Sequence, residues 1–191
     1  MSQTPQAQGI LPPPRLGIIG YVTLYLVFIA VLARTLAIES LRPLLPTFLA
    51  GEALFLVLFT IVLILPRLPD WLLHPYFALQ SGLIVWLISL HPTFDFLILL
   101  YLLLSAQISL IFSGRILWVW IGIFILLSGG SMIYFHGLAR GLALSLTTIA
   151  GDLVVPAYFI VSRENELARR QSQALLGELQ DTNRRLQEYA S

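Results

Sequence analysis

The chain has 191 residues, of which 58% are hydrophobic and only 11% charged, with a mean hydropathy of +0.86. Soluble domains are nearer a quarter charged, so this composition points to an integral membrane protein. A net charge of +1 gives no broad field for nucleic acid, and the absence of cysteine excludes disulfides, thiolate nucleophiles and Cys metal sites.

Residues 1–15 are rich in Gln and Pro and read as a disordered tail. They lack the cationic n-region of a signal peptide, and the apolar run after Arg15 is too long for an h-region. Six apolar runs follow: Leu16 to Ile38, Thr47 to Leu65, Trp71 to Leu90, Phe94 to Phe112, Ile116 to Phe135 and Leu138 to Val161. Each is about 20 residues, enough for a helix to cross roughly 30 Å of hydrocarbon. The spacing therefore predicts an all-α fold, a polytopic bundle of six transmembrane helices over residues 16–161. Short connections force neighbouring helices to run antiparallel and leave no room for an extramembrane ligand-binding domain.

Every basic residue is arginine. With a cytoplasmic N-terminus, Arg15, Arg67, Arg115, Arg163, Arg169 and Arg170 fall at or inside the inner edge, and Arg34, Arg42 and Arg140 fall outside. The positive-inside rule then puts both termini in the cytoplasm of a multi-pass protein of a bacterial inner membrane. Trp71, Trp118, Trp120 and Tyr158 lie toward helix ends, as interfacial aromatics do.

The sixth run continues without a Gly-Pro break into a polar segment, residues 162–191. There Val161, Ala168, Leu175, Thr182 and Tyr189 repeat every seven residues, with Asn165, Ser172, Leu179 and Leu186 in the companion positions. These are the a and d positions of a coiled coil, with a polar, weak seam. The simplest partner is the same helix of a second copy, in parallel. The heptad is still in phase at Ser191, so a further domain is expected after it.

Asp152 lies near the middle of the sixth run, where a carboxylate costs several kcal/mol unless neutral, paired or wetted. Pro156 four residues later cannot donate to the Asp152 carbonyl, and Gly151 adds freedom. Asp152, Gly151 and Pro156 form either a hinge or protonatable switch, or a neutral hydrogen-bonded Asp beside a static kink. Glu52, Gln107, Ser128 and Ser131 are candidates for an intramembrane polar site, although Glu52 could equally snorkel to water. The Ser128 to Ser131 stretch thins the fifth run and could admit lipid or a small apolar ligand. His74, near the inner end of the third run, reads as interfacial. Ala143, Thr147 and Gly151 form a small-residue stripe suited to close helix packing. The sequence has no Walker loop, nucleophile elbow or zincin motif, so no catalytic residue is assigned, and the singly placed histidines assign no metal site.

A loop-poor bundle followed by Glu164-Asn-Glu-Leu-Ala-Arg-Arg-Gln-Ser-Gln-Ala-Leu-Leu-Gly-Glu-Leu-Gln-Asp-Thr-Asn-Arg-Arg-Leu-Gln-Glu188 resembles the N-terminal sensor half of a bacterial two-component histidine kinase. The likeness is to the multi-span sensors of membrane fluidity and envelope stress. It implies a homodimer whose bundle senses lipid or a lipophilic ligand. It also implies an absent C-terminal transmitter domain that uses ATP and Mg and phosphorylates a response regulator. No histidine follows His136, so no phosphoacceptor is carried over and no cofactor is implied for this chain itself. A small transporter or an accessory subunit of a membrane complex is the alternative.

Overall fold

The computed structural model describes residues 18–65, 68–91 and 95–190. The expected N-terminal tail, Arg15, Arg67, Phe94 and Ser191 lie outside the described residues, as does the side chain of Tyr189. Among the described residues the fold is all α: α1 (Ile18–Ala37), α2 (Leu45–Ile64), α3 (Asp70–Leu90), α4 (Leu99–Ile111), α5 (Arg115–His136) and α6 (Leu138–Ala190). Short 3-10 segments precede α2 (Glu39–Leu41) and α4 (Asp95–Ile98). Helices α1, α2, α3, α5 and α6 are each long and apolar enough to cross a membrane.

Proline and glycine set the boundaries. Leu65 and His91 are extended, as residues preceding Pro66 and Pro92 should be, and they close α2 and α3. Pro46 sits in the first turn of α2, where its missing N–H costs nothing. Gly114 and Gly137 are the described residues with positive φ, and each starts the helix after it.

Packing partners give the direction of each helix. Between α1 and α2, Tyr25 meets Thr60, Phe28 meets Phe55 and Thr35 meets Glu52, so the two run antiparallel. Tyr76 and Gln80 of α3 reach the Leu58 and Phe55 carbonyls of α2, again antiparallel. On α4, Tyr101 reaches Ser81 and Gln107 meets Tyr76, which makes α3 and α4 antiparallel. His74 and Phe77 pair with Trp120 and Phe124, so α5 runs with α3. Gly141 lies against Ile133 and Gly129 against Ser145, so α6 folds back along α5. The helices thus alternate in direction, and α6 exits the bundle at the end where α1 begins.

The fourth run departs from the expected length. It forms a 13-residue α-helix with a four-residue 3-10 lead-in. Together these span about 28 Å. Every residue from Leu103 to Leu110 is buried, so α4 is the axis that the other helices cover. Its flanks carry the aromatic packing: Tyr101 meets Phe124, and Phe77 meets Trp120 and Phe124. At the other end of α1, Arg34 pairs with Asp95 (3.6 Å) and lies over the Phe96 ring, which pins the lead-in.

The expected continuity of the sixth run is found: α6 is one helix of 53 residues, passing through Pro156 without interruption. At 1.5 Å per residue it is about 80 Å long.

Candidate functional site

The buried face of α6 is Gly141, Ser145, Thr148, Asp152 and Pro156, spaced by four, three, four and four residues. That is the period of one helix face. Ala143 and Thr147, expected to form the packing stripe with Gly151, are exposed instead. Both stripes fit the helical period. The one that is buried carries Ser145, Thr148 and Asp152, and it is held by the Ser105–Asp152 hydrogen bond to α4 and by the close approach of Gly141 to the α5 backbone.

Asp152 is fully buried, and Ser105 of α4 donates its hydroxyl to Asp152 Oδ1 at 2.7 Å. Among the described residues Asp152 Oδ2 and the buried Thr148 hydroxyl, one turn away on α6, have no hydrogen-bond partner. The carboxyl is therefore held at one oxygen and left unanswered at the other. Beside it Gly151 presses onto Leu102: a Cβ there would lie 2.4 Å from Leu102 Cδ2. The hydrogen bond and the close approach fix the height of α6 against α4.

A second tie lies at the end of α4. The Arg163 guanidinium donates from Nη2 to the Ser109 carbonyl and to the Leu110 carbonyl (3.2 Å). These carbonyls belong to the last turn of α4, where helix carbonyls lack intrahelical partners and the dipole is negative. A cation is the fitting cap. Ser109 in turn donates to the Ser105 carbonyl at 2.5 Å. Ser105 and Ser109 lie one turn apart on α4, and the Ser105 hydroxyl and the Ser109 carbonyl each meet a residue of α6. The α4–α6 contact is a polar seam tied at Asp152 and at Arg163, 11 residues apart by sequence number.

The other expected polar residues do not join this seam. Glu52 does not snorkel outward. It is fully buried and accepts the Thr35 hydroxyl at 2.5 Å on Oε1, leaving Oε2 unpaired among the described residues. Its position faces α1 rather than the outside, so a partner was nearer than water. Gln107 donates to the Phe59 carbonyl (3.0 Å) and accepts from Tyr76 (2.9 Å), linking α4 to α2 and α3. Ser128 and Ser131 bond the carbonyls of Ile125 and Leu127 on their own helix. Glu52, Gln107, Ser128 and Ser131 therefore share no hydrogen-bond partner with one another. At the thinning expected over Ser128 to Ser131, Gly129 faces Ser145 and Ile149 of α6 with room for a Cβ at ordinary contact distance, and a Cβ on Gly130 would meet nothing within 4 Å. Trp120, expected at an interface, turns inward and donates to His74 Nδ1 at 3.1 Å.

Past Arg163 the surroundings of α6 change abruptly. Every residue from Glu164 to Glu188 is exposed. The expected seam residues Asn165, Ala168, Ser172, Leu175, Leu179, Thr182 and Leu186 are all among them, and Val161 just before is 53% exposed. Leu175, Leu179 and Leu186 are each over 60% exposed, on a helix that carries the intrahelical pairs Glu166–Arg170 (2.8 Å) and Arg184–Glu188 (3.2 Å). Such pairs contribute roughly 0.2–0.5 kcal/mol each.

Sequence reasoning missed Thr35, Ser105 as the Asp152 donor, and the capping role of Arg163. Ser105 was visible as a polar centre of the fourth run, but nothing in one sequence aligns it with Asp152. An arginine just after an apolar run was visible too, yet it read only as a topology signal. No family model, curated protein or solved structure matches this chain.

Proposed function

We propose that the chain is a membrane-embedded signalling module whose output is α6. The observation that carries this reading is the single helix that passes from the Asp152–Ser105 seam, through the Arg163 cap, into a wholly exposed segment. A rigid rod fixed at two points inside a bundle cannot tilt, rotate or slide there without moving its free half. Five apolar helices of membrane-spanning length among the described residues, with the shorter apolar α4 between them and directions alternating, favour a six-span bundle with both ends on one side. The arginine distribution favours the cytoplasm for that side.

In this reading the exposed leucines pair with those of a second copy as a weak parallel coiled coil. A seam with Asn165, Ser172 and Thr182 costs stability and suits two nearly equal registers. A change in bilayer packing or a lipophilic ligand shifts the α4–α6 seam, and α6 passes the shift to the pair. The finer reading is the sensor half of a two-component histidine kinase, with the ATP- and Mg-using transmitter and the response regulator as partners outside this chain. It rests on the resemblance in architecture of a loop-poor bundle followed by a polar helix and, in sequence, mainly on residues 162–190.

The test is the distance between two copies. A spin label on cysteine at Leu179, in lipid nanodiscs, should give a narrow interprotomer distance in the native background. Ser105→Ala and Arg163→Ala should each shift that distance distribution. An unchanged distribution in both would contradict transmission through the seam, and no dipolar signal at all would contradict the paired output helix.

A further inference from the structure

A second feature lies away from the α4–α6 seam, where α5 begins. Gly114 takes φ +65° there, no side chain caps the helix, and its first turn holds no acidic residue. Arg115 follows directly, exposed, and among the described residues no carboxylate pairs with it. From Arg115 an open groove of about 350 Å³ runs between α5 and α3, lined by His74, Arg115, Ile116, Val119, Trp120 and Ile123. Ile116, Val119 and Ile123 follow at three- and four-residue steps, so they form one apolar strip.

His74 is fixed in this groove. Its ring stacks on Phe112 and Trp120 at 5.5 and 6.0 Å, and its Nδ1 accepts the Trp120 indole N–H. An imidazole that accepts at Nδ1 carries its proton on Nε2. That N–H has no hydrogen-bond partner among the described residues, and the groove itself is lined almost wholly by apolar surface, with Arg115 at its end.

We infer that this groove binds an anionic phospholipid, its phosphate held by Arg115 at the groove's end and one acyl chain laid along Ile116, Val119 and Ile123. The charge distribution selects this occupant: an exposed cation at one end and an apolar groove beyond it. Arg115 to Ile123 is about 12 Å along the helix axis, within the roughly 15 Å depth of one leaflet. The start of α5 lies at the end of the bundle where α1 begins and α6 exits. In the proposed topology that is the cytoplasmic leaflet, where anionic lipids give a negative surface potential. The inference rests on the membrane-embedded reading.

The experiment is native mass spectrometry of the detergent-purified chain with equimolar phosphatidylglycerol and phosphatidylcholine, beside flotation with phosphatidylcholine vesicles. The native chain should retain phosphatidylglycerol several-fold over phosphatidylcholine. Arg115→Gln should bring that ratio close to one. Val119→Trp, which fills the groove and keeps the cation, should also lower phosphatidylglycerol retention. Arg140→Gln, at the other end of the bundle, should leave the preference intact. Equal retention of the two lipids by the native chain would overturn the inference, as would a preference that survives both Arg115→Gln and Val119→Trp. Displacement of the lipid by inorganic phosphate at equal concentration would also overturn it, in favour of a simple anion site. A chain that floats with vesicles but shows no preference removes the lipid site alone, whereas one that does not float removes the membrane reading with it.

Discussion

Ser105 is the residue on which the burial of Asp152 depends. A carboxyl sealed from solvent with one accepted hydrogen bond gains from that bond part of what burial costs. Ser105→Ala and Asp152→Ala should therefore each destabilise the bundle and be non-additive. Their coupling should be about 1 kcal/mol, measured as a double-mutant cycle of unfolding in mixed detergent. Asp152→Asn keeps a carbonyl oxygen for the Ser105 hydroxyl and should cost less than Asp152→Ala. A coupling indistinguishable from zero would mean that the hydrogen bond contributes nothing to α4–α6 packing. The same chemistry applies to Glu52 and Thr35. Thr35→Val leaves Glu52 Oε1 without its donor and should cost about 1–3 kcal/mol, whereas Glu52→Gln should be better tolerated. Both carboxylates were visible in the sequence as charges within apolar runs. Their partners were not, because a serine or threonine 47 or 17 positions away becomes a donor only once helix order and rotation are fixed.

Elements differ in how far their sequence revealed them. Proline and glycine placed the ends of α2, α3 and α5, since these residues act on the backbone locally. The length of α4 was not legible: its apolar run is long, but its first turn tightens to 3-10 where Asp95 pairs with Arg34 of α1, a tertiary contact. The small residues of α6 were seen in the wrong register, because a three-four period admits more than one stripe. The structure separates them by contact. A Cβ on Gly141 would lie 2.5–2.6 Å from the backbone of Ile133 and Met132, whereas at Gly151 it meets only the mobile end of Leu102. Gly141→Ala should thus force α5 and α6 apart and cost about 1–3 kcal/mol, with Gly151→Ala costing less. Thermal unfolding of the two variants side by side checks this order, and equal stability would refute the close α5–α6 approach. Pro156→Ala restores the donor for the Asp152 carbonyl and should stiffen α6. Amide exchange around Asp152 should slow, and unchanged exchange would argue against any freedom at that point.

At the scale of the whole molecule, hydropathy was enough to foresee six apolar segments and the all-α class. Alternating direction followed from short connections, and packing partners agree with it. The centre of the bundle was not foreseen. The polar tail draws attention to α6, but the buried axis is α4, and α6 is the element tied along it with one half outside. The proposed function depends on that division between a tied half and a free half. The most direct measurement is cysteine crosslinking at single positions from Asn165 to Glu188 in native membranes, with no cysteine of the chain's own to interfere. Crosslinks are expected to peak at Ala168, Ser172, Leu175, Leu179, Thr182 and Leu186 and to fall between them. A flat profile, or no crosslinks, would contradict a paired output helix and leave the exposed half of α6 to some other protein.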